Sequence, residues 1–449
     1  MVNELRDLMQ RAVETPPTDD TDLSAVLRGG RQRVRRRRGA VVGTVAAVAA
    51  VTVGVGSLSW GGGTDPDRVA NHTVPRPDGP VLHLGDAKPA VEGTDYDIVS
   101  SYTNKNLEAR NGQYYNGVTD DGLILFQDGP HGIKNQVRLA LLDPATNKLD
   151  WLPAYDLGTQ QWPVALDRDR LVLLTATSDG GGAAQGVRAL VYDRGTRTWS
   201  SMSWSGLPKG AEVWSAQVGP NGRLYLGVTA TAGKPPPGGW PTGNGGEADD
   251  SGAEGDTYDL WSVSLDDAAD VRDEQLRVGS FAFGDDTLVW SAATNGTNDR
   301  IHVRDLTTGD ERDFDPHSGE RCNLLGFGVT GDRIVLSQYC GDYDDGRDDR
   351  VQIVTTEGDP VTTIQGDGIE GQVAGGLVEV TSYDDRAGGT YVYDPAGGEF
   401  VRATKRLSSY GLGGPTPEGY LLWHTPVGKS GALGMRGRGA TQWLARWRS

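Results

Sequence analysis

Cysteine, methionine, histidine and lysine are all scarce in this chain of 449 residues, at two, four, six and eight copies. The histidines (residues 72, 83, 131, 302, 317 and 424) form no HExxH and no His-x-His, which excludes the common zinc spacings. The stretch before residue 60 has neither Cys nor His, so a zinc-binding regulator domain is excluded there. There is no GxSxG elbow. Glycine-rich stretches such as SDGGGAAQG follow a strand but open no helix, and read as loops rather than phosphate cradles. The basic residues are mostly Arg, a coding bias of GC-rich bacterial genomes that says nothing about mechanism. Net charge is also unevenly spread: residues 1–38 hold 9 Arg against 6 acids, so of the net −18 the remainder carries −21. A body that acidic argues against nucleic acid as a partner, because phosphate neutralisation needs clustered Lys and Arg.

Charge is missing altogether between Gly39 and Thr64. The run GAVVGTVAAVAAVTVGVGSLSW, residues 39–60, approaches the roughly 20 apolar residues a membrane-spanning helix needs. Arg33 and the block Arg35, Arg36, Arg37, Arg38 abut its N-terminal end. The positive-inside rule therefore predicts residues 1–38 in the cytoplasm and everything after about Trp60 outside, at the cell membrane. A cleaved signal peptide is the alternative, but 38 residues make a long n-region and the apolar run exceeds a usual h-region. Within 1–38, Leu5, Leu8, Met9, Ala12 and Val13 form one apolar stripe at helical spacing. TPP breaks it, and a second short helix follows a Thr21 or Asp22 cap. Stripes this short build no core of their own. The expected docking residues for a cytoplasmic regulatory protein are Leu5, Leu8 and Met9. Residues 61–80 are a Gly/Pro linker.

What is abundant is glycine (65 copies), with Trp (12) and Tyr (15) outnumbering Phe (6), a turn-rich β composition. Over 81–449 a short apolar run recurs seven times: DDGLILFQ, RDRLVLLT, NGRLYLGV, DDTLVWSA, GDRIVLSQ, GGLVEVTS and EGYLLWHT. Each is followed by a polar loop and a second β-like run, and most are preceded by a further short one. Four antiparallel strands repeated every 43 to 64 residues predict an all-β fold, a seven-bladed β-propeller outside the membrane. In VYDRGTRTWSSM, and more weakly in YVYDPAGGEFVRA, the chain resembles the third-to-fourth-strand hairpin of kelch and WD40-like propellers. The WD dipeptide and the regular Gly-Gly pair of kelch are absent from most units.

Both cysteines fall in CNLLGFGVTGDRIVLSQYC. A hairpin centred on Gly331 sets Cys322 opposite Cys340, and paired strand residues about 4.5–5.5 Å apart are within disulfide range. Such a bond would stabilise by roughly 3 kcal/mol and persists only outside the reducing cytoplasm. The alternative is two unpaired thiols or a slipped register.

No cofactor is implied by any motif. The densest acidic cluster is GDYDDGRDDR, where Asp342, Asp344 and Asp348 are candidate Ca²⁺ ligands. The spacing departs from an EF-hand and lacks its terminal Glu, so a solvated loop is the competing reading. The segment 233–256 reads as a disordered insertion. Loops joining second to third strands (127–136, 177–186, 230–257, 293–299, 341–349, 383–389, 425–430) are the longer, more polar set, and in a propeller all lie on one face. The chain thus reads as a single-pass membrane protein whose propeller binds or senses an unknown extracytoplasmic ligand or protein. The signal would pass through the inner segment, an architecture like that of membrane-bound sigma-factor regulators. The alternatives are an anchored enzyme on envelope glycans, which needs convergent carboxylates in the central channel, and a plain envelope scaffold.

Overall fold

The computed structural model describes residues 78–448 except 108–110, 132–136, 159–160, 179–183, 232, 234–254, 294–299, 319–321, 341–347, 367, 385, 409–412 and 429–437. The described strands form seven sheets, the blades of an all-β seven-bladed propeller. In chain order the blades span 114–151, 161–202, 213–278, 281–314, 322–366, 369–402 and 420–447. In blades 1 to 6 the repeated apolar run is the second strand, and in blade 7 it is the innermost of the three described strands.

Those runs are apolar on both faces because each second strand is buried between two neighbouring blades. In blade 2, Leu171 and Leu173 pack towards blade 1, whereas Val172 and Leu174 pack towards blade 3. Every seam between successive blades holds its own cluster of this kind, and a seventh cluster closes the ring. There Leu422 and Leu444 of blade 7 meet Tyr115, Ile124 and Phe126 of blade 1. Outermost strands such as Lys148–Trp151, mostly exposed, end each sheet.

Closure uses the N-terminal part of the described chain. Strand β1 (Val81–His83) adds in parallel to the outer edge of blade 5. Strand β2 (Lys88–Pro89) does the same on blade 6. Strand β3 (Tyr96–Asn104) then becomes the outer strand of blade 7, antiparallel to Gly439–Trp447. Arg448 seals the joint, donating to Asp97 Oδ2 and Oδ1 at 2.7 and 2.8 Å. Leu82 and Leu84 tuck against the seam of blades 5 and 6, and Ala90, Tyr96 and Ile98 against that of blades 6 and 7. The chain following the predicted linker is thus strapped across three successive blades. Blade 7 has three strands among the described residues instead of the four expected, and the irregular stretch around 413–417 lies against the innermost strand of blade 1. Pro415 O accepts from Val118 N of blade 1 at 2.8 Å.

The cysteine hairpin shows how register is set. Thr330 pairs with Arg333, so the loop is the two residues Gly331 and Asp332, not one centred on Gly331 alone. Gly331 holds φ +54°, a conformation open to Gly at little cost. Carried down the hairpin, that register would place Cys322 opposite Gly341. A bulge at Leu325 inserts one residue into the inner strand, and beyond it Cys322 faces Cys340 as expected. Similar irregularities interrupt the innermost strands of blades 1, 2 and 3, so bending at the channel wall recurs around the ring.

Candidate functional site

Antiparallel order fixes the two ends of the propeller. Turns joining first to second and third to fourth strands lie at one end. Loops joining second to third strands, with the crossovers between blades, lie at the other. The strands flanking all seven predicted loops place them at this second, loop-bearing end.

Around the inner part of that end, blade 1 holds a polar network. Asp128, 5% exposed at the end of its second strand, accepts from Gln113 Nε2 at 2.8 Å and His131 Nε2 at 2.7 Å. Arg138 donates to its other oxygen through Nε at 3.1 Å and through Nη2. Burial alone would raise this carboxyl, but the donors more than offset it and hold it below the usual carboxylate range. Next to it, Gln127 Oε1 accepts from Asn116 Nδ2 at 3.0 Å and, across the seam, from Gln161 Nε2 at 3.1 Å. Burial pushes the Tyr114 hydroxyl up to about 12. Gln442 of blade 7 completes the ring, donating to Tyr115 O at 3.1 Å and accepting from Tyr115 N at 2.6 Å.

Blade 6 contributes a second, different group. Its first two strands, Ile369–Ala374 and Leu377–Ser382, pair Glu370 with Thr381 and Gln372 with Glu379. All four side chains share one face, since side chains alternate along a strand. Glu379 is 5% exposed and accepts from Gln372 Nε2 at 3.0 Å. Burial raises the carboxyls of Glu370 and Glu379 to about 7 each. Tyr383 follows directly, with an exposed ring; burial and then the two nearby carboxyls raise its hydroxyl. On blade 7, burial lowers His424 to about 4, against a backbone hydrogen bond with Ser408. The imidazole is therefore neutral through the physiological range. Near pH 7, then, blade 6 holds two carboxyls that both give and take protons, Glu370 next to the loop-bearing end and Glu379 buried deeper along the same face, beside a hydroxyl that does not ionise. Such groups can hydrogen-bond a neutral ligand as donors as well as acceptors, or act as general acids.

Sequence reasoning named none of Glu370, Glu379 and Tyr383. The legible signal was Glu379 interrupting the apolar run GLVEVTS. Of the residues it did name, Cys322 and Cys340 are brought directly opposite in the backbone ladder, while their side chains lie outside the described residues. Asp348 pairs with Cys340 through its backbone, whereas Asp342 and Asp344 lie outside the described residues. No metal-binding group of three or more ligand side chains occurs among the described residues. Leu5, Leu8, Met9, Arg35, Arg36, Arg37, Arg38 and the apolar run 39–60 also lie outside them. No helix among the described residues is long and apolar enough to cross a membrane.

No protein-family model matches the chain, and no curated protein sequence does. Solved structures similar to it include virginiamycin B lyase from Staphylococcus aureus, at 14% identity and a TM-score of 0.41, covering 77% of this chain and 98% of that one. A Mycobacterium tuberculosis puromycin-hydrolyzing peptidase is similar at 13% identity and a TM-score of 0.45, covering 73% of this chain and 52% of the peptidase. A prolyl endopeptidase gives 13% and 0.42, covering 75% of this chain and 46% of that one. The chain thus spans about half the length of these peptidases.

Proposed function

We propose that this protein is a membrane-anchored, extracytoplasmic propeller that binds or senses a ligand or protein at its loop-bearing end and signals through its cytoplasmic N-terminus. The observation that carries the reading is the strap. Residues 81–104, which follow the linker, are built into the outer edges of blades 5, 6 and 7. A ligand that shifts these blades against one another shifts the segment that leads towards the apolar run. Blade 6 carries both a strap contact and the Glu370, Glu379 and Tyr383 group, so ligand site and strap share one blade. A disulfide between Cys322 and Cys340 fits the same compartment, and the backbone register supports it. The kelch-like hairpin at 191–202 occupies the third-to-fourth-strand position of blade 2, which supports the kelch-like subtype.

Topology is the first test. Reporter fusions are expected to place Arg38 inside and Asp65 outside, with the full-length chain retained in membranes. A soluble product beginning near residue 50 would convert the anchor into a signal peptide and remove the signalling route. A second reading, an anchored enzyme acting on envelope glycans, is favoured by the two carboxyls that blade 6 brings to one face. Glu370→Gln and Glu379→Gln distinguish the two. An enzyme loses turnover of envelope polysaccharide in both variants, whereas a binding module never shows turnover in the wild type.

A further inference from the structure

At the end of the ring opposite the loops, blades 1 and 2 leave between them a cleft of about 370 Å³. That lies within the range of small-molecule sites, about 300–1,000 Å³. Leu123, Leu141 and the ring of Tyr192 supply its apolar surface. Asp143, Lys148 and Asp150 line the blade 1 side, and Arg194 and Arg197 the blade 2 side. The arginines are already engaged. Arg197 donates to Asp150 at 2.6 and 3.0 Å, and Arg194 to Asp121 at 2.9 and 2.8 Å. With Asp121 included, three cations meet three carboxylates, so the cleft offers no net field to hold a free anion.

It offers alternating donors and acceptors beside apolar surface, together with one donor that has no partner. Tyr192 is 1% exposed, and its enclosed hydroxyl makes no hydrogen bond. A buried hydroxyl left unpaired costs about 1–3 kcal/mol, which calls for an explanation in a folded protein. Arg197, Asp150 and Arg194 lie near enough to act electrostatically on that hydroxyl, which puts it among the groups of the cleft. From Tyr192 an aromatic row leads outward: Trp199 at 4.9 Å between ring centroids, then Tyr155, stacked on Trp199 at 5.7 Å and 20°. Tyr155 is 37% exposed.

We propose that this cleft is a binding site for a neutral saccharide of one or two rings. Each sugar hydroxyl is donor and acceptor at once, which suits carboxylate–guanidinium pairs that a simple ion cannot use without breaking. The C–H faces of a pyranose match Leu123, Leu141 and the ring of Tyr192. The enclosed Tyr192 hydroxyl gains the acceptor it lacks once the half-exposed Arg197–Asp150 pair beside it shifts to admit the sugar. The site is separate from the loop-bearing end, so the two readings stand or fall independently.

The test uses the full chain in a zwitterionic, sugar-free detergent, with saturation-transfer NMR on cellobiose, maltose and N,N′-diacetylchitobiose. Transfer to at least one of them is expected, unaffected by 0.5 M NaCl. Tyr192→Phe removes a hydroxyl that bonds nothing in the unliganded ring, so its Tm should hold or rise while affinity falls about 3- to 10-fold, the worth of one neutral hydrogen bond. Arg197→Ala should abolish binding; if that variant does not fold, Tyr192→Phe still decides. The proposal is overturned if none of the three sugars shows transfer, if Tyr192→Phe binds as well as wild type, or if phosphate occupies the cleft instead.

Discussion

Replacing Glu379 by Gln should stabilise the protein at neutral pH and leave it unchanged in acid. Glu379 is 5% exposed, and burial lifts its carboxyl from an ordinary 4.5 to about 7. Below pH 4.5 the group is protonated in both folded and unfolded chains and contributes no difference. Between 4.5 and 7 the unfolded chain releases the proton while the folded one keeps it, so stability falls as pH rises. Above about 7 both have released it, and the loss is complete and constant. At about 1.36 kcal/mol per unit, the loss is about 3 kcal/mol. Gln does not titrate, and its amide oxygen can still accept from Gln372 Nε2, so the variant escapes the loss without giving up the contact. For a ring of this size the gain corresponds to a Tm about 4 °C higher at pH 8 and none at pH 4. Thermal melts of wild type and Glu379→Gln at half-unit steps from pH 4 to 8.5 would show it. Glu370→Gln should follow the same profile with smaller amplitude, since Glu370 keeps more solvent. A difference that does not vary with pH, or a variant less stable at pH 8, would refute the buried-acid account of blade 6.

Three further outcomes are expected. A thiol probe on the denatured, unreduced protein should label neither Cys322 nor Cys340; labelling of both would leave the bulge at Leu325 without a disulfide to serve. Leu82→Asp with Leu84→Asp should unseat the strap, seen as new protease cleavage within 78–90 while the ring from Tyr96 onward survives, because closure rests on β3 and the Arg448–Asp97 pair. Charge reversals at Leu5 and Leu8 should abolish co-purification of a cytoplasmic partner without affecting membrane insertion; if the wild-type segment captures no partner, the signalling half of the proposal fails.

The ring was legible in the sequence because its physics is periodic. A strand buried on both faces needs an apolar run, and seven such runs can be counted along the chain, one of them interrupted by Glu379. The strap was not legible. Leu82, Leu84 and Ala90 are too few and too scattered to make a pattern, and their partners lie roughly 280 or more residues away in the chain. Nor was the blade 6 group. Glu370 and Glu379 belong to different strands, and only the pairing of Gln372 with Glu379 puts them on one face. Glu379 alone carried a signal, a charge where the repeat demands an aliphatic residue.

The cysteine hairpin marks where pattern reasoning reaches a right pairing through a wrong count. Symmetry about Gly331 puts Cys322 opposite Cys340, yet the real loop is one residue longer, and the bulge at Leu325 compensates. That bulge has a visible consequence, since Leu325 is 44% exposed between Leu324, which is packed, and Gly326. Extra residues of this kind bend a strand and raise its twist. They recur in the innermost strands of four blades, the positions nearest the axis. Curvature there and long-range pairing at the rim are both set by geometry that leaves only single-residue traces in sequence. Those traces become readable once the ring is known: a glycine with positive φ, one leucine left outside the core, and one glutamate inside it.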